Sequence, residues 1–171
     1  GVDPGDARRQ LEAALERLVG VEVDRALRLL APSIDELRDV TGAIAINLRE
    51  DPGAGPDGGL AERVGWCKRV ARLLLTDKGW RKAFTVRDGL PPDQKDLKTH
   101  VASISAGLQS VPGTEAALRV MEGLPLPAYS ATQWAALESL LVLLPFAAAH
   151  LKLVFATQGE TDYAEVAAEG R

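Results

Sequence analysis

Three features of this sequence predict an all-α fold. Ala and Leu are abundant, while aromatic residues make up only 5% of the 171 positions, a balance that favours helices over sheets. Apolar residues recur three and four apart, most clearly at Leu60, Val64, Cys67, Ala71 and Leu74, the spacing of a helix with one buried face. Turn-forming residues are concentrated in two stretches, "REDPGAGPDGGL" (49–60) and "TDKGWRKAFTVRDGLPP" (76–92), so the rest is free to be helical. The expected architecture is an irregular helical bundle around a long C-terminal helix, with one Gly/Pro-rich loop and one basic, turn-rich loop.

The elements follow in order. Asp3 can cap and Pro4 suits the first helical position, and Leu11, Leu15 and Leu18 carry a first helix up to Gly20. "VEVDRALRLL" gives a short second helix that stops before Pro32. Ser33 and Glu36 have the spacing of a capping box, opening a helix with Ile34, Leu37, Val40, Ile44 and Leu48 as its stripe. Four Gly and two Pro make 49–60 a flexible loop. The helix from Leu60 to Leu75 projects Lys68, Arg69 and Arg72 away from its apolar face. A helix from Asp93 and a short one in "GTEAALRVMEGL" come next, and a trace of strand is expected only near 84–86. Ser130 and Gln133 form a second capping box before a helix from Ala131 to Gln158, apolar all round between Leu140 and Ala149. That places it in the centre of the bundle, with Pro145 kinking or splitting it. Gly159 ends it, and "TDYAEV" starts a further helix. The expected domain is 3–159, with 160–171 opening a segment that leads elsewhere.

Composition sets outer limits. The net charge is -4, so the chain is no polycation that coats nucleic acid indiscriminately. Cys67 is the sole cysteine, which allows no internal disulfide and fits a reducing compartment. The longest apolar run, Leu140–Ala149, is ten residues, half of the ~20 that a membrane span needs, so no membrane partner is expected.

Catalytic and metal motifs do not emerge. Nothing matches the phosphate-cradling pattern G-x-x-x-x-G-K-[ST]. Asp35-Glu36 resembles the acidic pair of an ATPase but stands at a helix start, where negative charge is favoured anyway. His100 and His150 are too far apart and too isolated for a zinc set. Cys67 lies on an apolar stripe and reads as core. Glu160, Asp162 and Glu165 cluster at a helix start. No cofactor is expected in this segment.

Charge distribution does stand out. Between Leu60 and Lys98 lie ten Lys/Arg and five Asp/Glu, against twenty and twenty-four in the whole chain. Half of the positive charge thus falls in under a quarter of the sequence, as in a phosphate-binding face. The candidate DNA-binding residues are Lys68, Arg69, Arg72, Lys78, Trp80, Arg81, Lys82 and Arg87. The cations would hold phosphate without sequence preference. Trp80 would stack on a base or anchor the loop in the core, with anchoring the better reading for a large aromatic.

The stretch "LLLTDKGWRKAFTVRDGLPP" and the tail "LPFAAAHLKLVFATQGETDYAEVAAEGR" resemble two segments of UvrD-type superfamily-one DNA helicases, RecB/AddA-like branch. The tail is similar to the long helix followed by G-x-x-D-[FY]-x-E-[IV] that leads into the motor domain. The resemblance covers Gly65–Arg171 and, more thinly, Gly1–Leu48. It implies the helical insertion called 1B, which sits beside the motor and helps guide DNA in repair and recombination. It also implies a larger parent that binds ATP and Mg and works in the bacterial cytoplasm, with single-stranded or junction DNA and the rest of the motor as partners. The Walker A, DExQ and arginine-finger motifs are absent from this sequence, so the segment is expected to be non-catalytic, with an exposed seam through which it could dimerise artificially. The alternative is an all-helical protein-interaction module that binds no nucleic acid.

Overall fold

The computed structural model describes residues 4–51, 53, 55–125 and 130–158. The fold is all-α. The elements are α1 (Pro4–Leu30), a 3₁₀ turn (Ala31–Ser33), α2 (Ile34–Leu48), α3 (Leu60–Leu74), β1 (Leu75–Thr76), β2 (Gly79–Trp80), a second 3₁₀ turn (Val86–Asp88), α4 (Lys95–Gln109), α5 (Thr114–Gly123) and α6 (Ala131–Gln158). The chain divides into two compact units, Gly1–Ala128 and Tyr129–Arg171.

In the first unit α3 packs against α1, α2 and α5. Its core is built from Val64, Cys67, Val70, Ala71 and Leu74 of α3, Val19, Val23, Ala26 and Leu30 of α1, and Leu118 and Met121 of α5. One polar chain crosses this core. The buried Trp66 indole donates to Thr41 Oγ1 at 3.1 Å, and the Thr41 hydroxyl donates to the Leu37 carbonyl at 2.8 Å. Every donor in the relay is satisfied, which removes the cost of burying them.

Several local expectations are corrected. Gly20 does not end a helix: α1 runs through it, because Val19, Val23, Ala26 and Leu30 continue one buried stripe at helical spacing. That shared burial outweighs the ~1 kcal/mol propensity deficit of a mid-helix glycine. Ser33 holds the N-cap position of α2 but makes no side-chain cap bond. The strand pairing lies at 75–76 and 79–80, antiparallel with Leu75 opposite Trp80, not at 84–86. α4 starts at Lys95 rather than Asp93.

The second unit holds the largest correction. α6 is one helix through Pro145, opened by the expected capping box: Gln133 N–H donates to Ser130 Oγ at 3.2 Å, and Ser130 N–H to Gln133 Oε1 at 2.9 Å. Its apolar middle is exposed where the sequence pattern suggested burial. Leu140, Val142, Leu143, Leu144, Leu151 and Leu153 are exposed, and Phe146 is 71% exposed. The expected cap at Asp3 and the helix after Gly159 lie outside the described residues.

Candidate nucleic-acid interface

The segment 75–80 reverses the chain in a short span. β1 and β2 are joined by Asp77-Lys78, and Gly79 supplies a φ of 120° that few other residues adopt. Thr76 Oγ1 donates to the Gly79 carbonyl at 3.1 Å. Arg119 of α5 donates to the Thr76 carbonyl and so fastens the hairpin to the bundle.

The reversal brings Arg81 back over the end of α3. Its backbone N–H donates to the Leu74 carbonyl at 2.7 Å. Its Nε donates to Leu73 O at 3.0 Å, and Nη2 to Arg72 O at 3.0 Å and Leu75 O at 3.3 Å. Nη1 pairs with Asp88 at 3.0 Å. A helix end leaves carbonyls unsatisfied and carries partial negative charge, and this guanidinium answers both. Asp88 in turn accepts from Thr85 N–H at 2.8 Å and from its hydroxyl at 2.9 Å.

Four of the eight residues singled out from sequence, Arg69, Arg72, Arg81 and Arg87, line one groove of about 550 Å³. Its apolar lining comes from Ile44, Ala45 and Leu48 of α2 and from Leu73 and Leu75. Arg72 and Arg87 are exposed and have no ion pair among the described residues. The groove is not purely cationic: Glu50, Asp77, Asp88 and Glu122 line it too. Asp88 is neutralised by Arg81 and Glu122 by Arg119 at 3.2 Å.

The other four residues stand apart from this groove. The Lys68 ammonium donates to the Leu124 carbonyl, so it serves the bundle. Lys78 and Lys82 are exposed. Trp80 is half-buried and packs, with Phe84, against the core, as the anchoring reading expects. Sequence reasoning missed the α2 wall and the two acidic residues at Glu50 and Glu122. The available signal was Leu48, an apolar stripe position that the structure leaves partly open.

Cys67 is fully buried, and that burial pushes its thiol from 9.0 up to about 12 while the Arg63 charge pulls the other way. Such a thiol is inert at neutral pH. Among the described residues no group of His, Cys, Asp and Glu is placed to hold a metal ion.

Compared with protein families, with curated proteins and with solved structures, the chain shows no significant match.

Proposed function

We propose that this chain is a DNA-guiding helical accessory domain of an ATP-dependent DNA helicase or helicase–nuclease, non-catalytic by itself. The observation that carries the reading is that Arg72 and Arg87, both exposed and without an ion pair among the described residues, line one groove, within the region that resembles the helicase insertion. Arg72 and Arg87 supply the charge offered to phosphate, with the exposed Lys78 and Lys82 nearby in sequence. α6 supports the same reading: a helix apolar on every side is suited to enclosure by further protein, such as a motor domain. ATP and Mg belong to that parent.

The test is binding of a labelled single-stranded oligonucleotide by the full chain. Affinity should fall steeply as salt rises, since released counterions drive phosphate binding. Lys78→Ala, Lys82→Ala and Arg87→Ala together should weaken it at every salt concentration. Undetectable binding at low salt overturns the reading and favours the protein-interaction module.

A second reading rests on α6 alone. Ala131–Ala156 is long and apolar enough to cross a membrane, with a mean hydropathy of 1.9 over its best window. Its uninterrupted apolar run, Leu140–Ala149, spans only ~15 Å at 1.5 Å per residue, against a hydrocarbon core of ~30 Å. Glu138 before it, and His150 and Lys152 after it, would then lie within lipid at a cost. The lengths favour a protein environment. Flotation of the chain with phospholipid vesicles would reverse that choice.

A further inference from the structure

Resting on the DNA reading above, we infer that the groove between α2, the end of α3 and the Val86–Asp88 turn takes one unpaired nucleotide, its base on the apolar wall and its phosphate on Arg72 and Arg87. A volume of about 550 Å³ falls within the range of small-molecule sites, ~300–1,000 Å³. The wall of Ile44, Ala45, Leu48, Leu73 and Leu75 offers a surface for a flat ring.

The mixed charge of the rim decides between ligands. A bare phosphate or a polyanion lying flat along the surface would meet Glu50 and Asp77, which have no ion pair among the described residues, as well as the arginines, and these carboxylates offset part of the attraction. A nucleotide has two different ends. Its phosphate suits guanidinium groups. The amino groups of cytosine, adenine and guanine can donate to a carboxylate, as cytosine N4 does to Glu or Asp. Thymine has no exocyclic amino group to offer. The groove therefore favours amino-bearing bases over thymine.

Trp80 does not compete for this role, because it is packed against the core. Base contact is thus assigned to the aliphatic wall instead of to an aromatic platform. Arg81 is also removed from the ligand's side of the account: its donors are used on α3 carbonyls and Asp88.

The experiment compares two labelled 12-mers in low salt with the full chain, oligo(dC) and an abasic oligomer with the same number of phosphates. Oligo(dC) should bind about tenfold more tightly, the scale of one well-placed base-edge contact, and more tightly than oligo(dT). Leu48→Trp, which fills the groove from a partly exposed position, should abolish the difference. Arg72→Gln with Arg87→Gln should weaken both oligomers. Equal affinity for oligo(dC) and the abasic strand overturns the nucleotide site while the DNA reading stands. A difference that survives Leu48→Trp places the base elsewhere and overturns it too. Binding of neither strand overturns the site together with the DNA reading and leaves the groove to a polypeptide.

Discussion

Arg81 and Asp88, both lining the groove, form an ion pair, Nη1 to Oδ1 at 3.0 Å, with side chains only 22% and 16% exposed. The pair joins two local devices. One is the cap that Arg81 places on Leu73, Arg72 and Leu75; the other is the hold of Asp88 on Thr85. A residue that looks from sequence like a phosphate ligand is in fact the end-stop of α3.

Arg81→Ala should therefore be a stability variant rather than a binding variant. It leaves helix-end carbonyls and a half-buried carboxylate without their partner, a loss of about 2–3 kcal/mol. Arg81→Lys should recover little, since an ammonium cannot reproduce the planar fork. Urea unfolding of each variant checks this. If Arg81→Ala unfolds at the same midpoint as the parent chain but loses oligonucleotide binding, the guanidinium serves the ligand and the capping role is wrong.

Gly89 sets the register of the same region. Its φ is +78°, and a Cβ there would lie 2.7 Å from Ile44 Cγ2 and 3.1 Å from the Ile44 carbonyl oxygen. Asn47 clamps the contact by donating to the Gly89 carbonyl at 2.8 Å. Both backbone conformation and space exclude a side chain, so Gly89→Ala should cost about 2 kcal/mol or more. The groove should deform with it, because Ile44 lines its wall. A thermal melt that is unchanged would show that the 85–92 loop can move away from α2 freely.

Much of this was legible in the chain. α3 declared itself because its apolar residues keep a strict four-and-three spacing, and Arg69 and Arg72 fall one helical turn apart on its other side. The acidic half of the groove was not legible. Glu50 and Glu122 arrive from the ends of α2 and α5, and only tertiary packing brings them in. The capping role of Arg81 was hidden for a similar reason, since it needs the reversal at Asp77-Lys78 to exist first. For α6 the pattern gave the start at Ala131 and a continuous helix over the described residues, but a helix apolar on all sides states only that it suits enclosure. It does not state by what.

Cys67 makes a pH prediction with a definite sign. Its thiol titrates near 9.0 when unfolded and about 12 in the fold, chiefly because burial opposes the thiolate. Below pH 9 both states hold the proton, and stability is untouched. Between pH 9 and 12 the unfolded chain releases the proton and the native chain keeps it. Stability should then fall by about 1.4 kcal/mol per pH unit from this group. Cys67→Ser is unsuitable as a control because it buries a stronger polar group; Cys67→Ala should flatten that part of the profile at the cost of a small cavity. At neutral pH a thiol reagent should label Cys67 only as fast as the fold opens. Labelling at the rate of a free thiol would show that the site is accessible.

α6 offers the sharpest test of what this chain needs around it. Phe146 and Leu143 are 71% and 59% exposed, and such side chains gathered along one helix form an apolar surface that soluble proteins rarely leave open. The chain alone should therefore self-associate, and Leu143→Lys with Phe146→Lys should shift it toward monomer in light-scattering measurements. Because the two side chains already face solvent, the double variant should change unfolding free energy by no more than ~0.5 kcal/mol per site, the usual range for surface substitutions. Both lysines remain good helix formers, so helical circular dichroism should persist. A loss of several kcal/mol would mean that these side chains are covered within the chain itself. Retained stability, together with loss of association, would mean instead that the exposed apolar face of α6 is what the copies associate through.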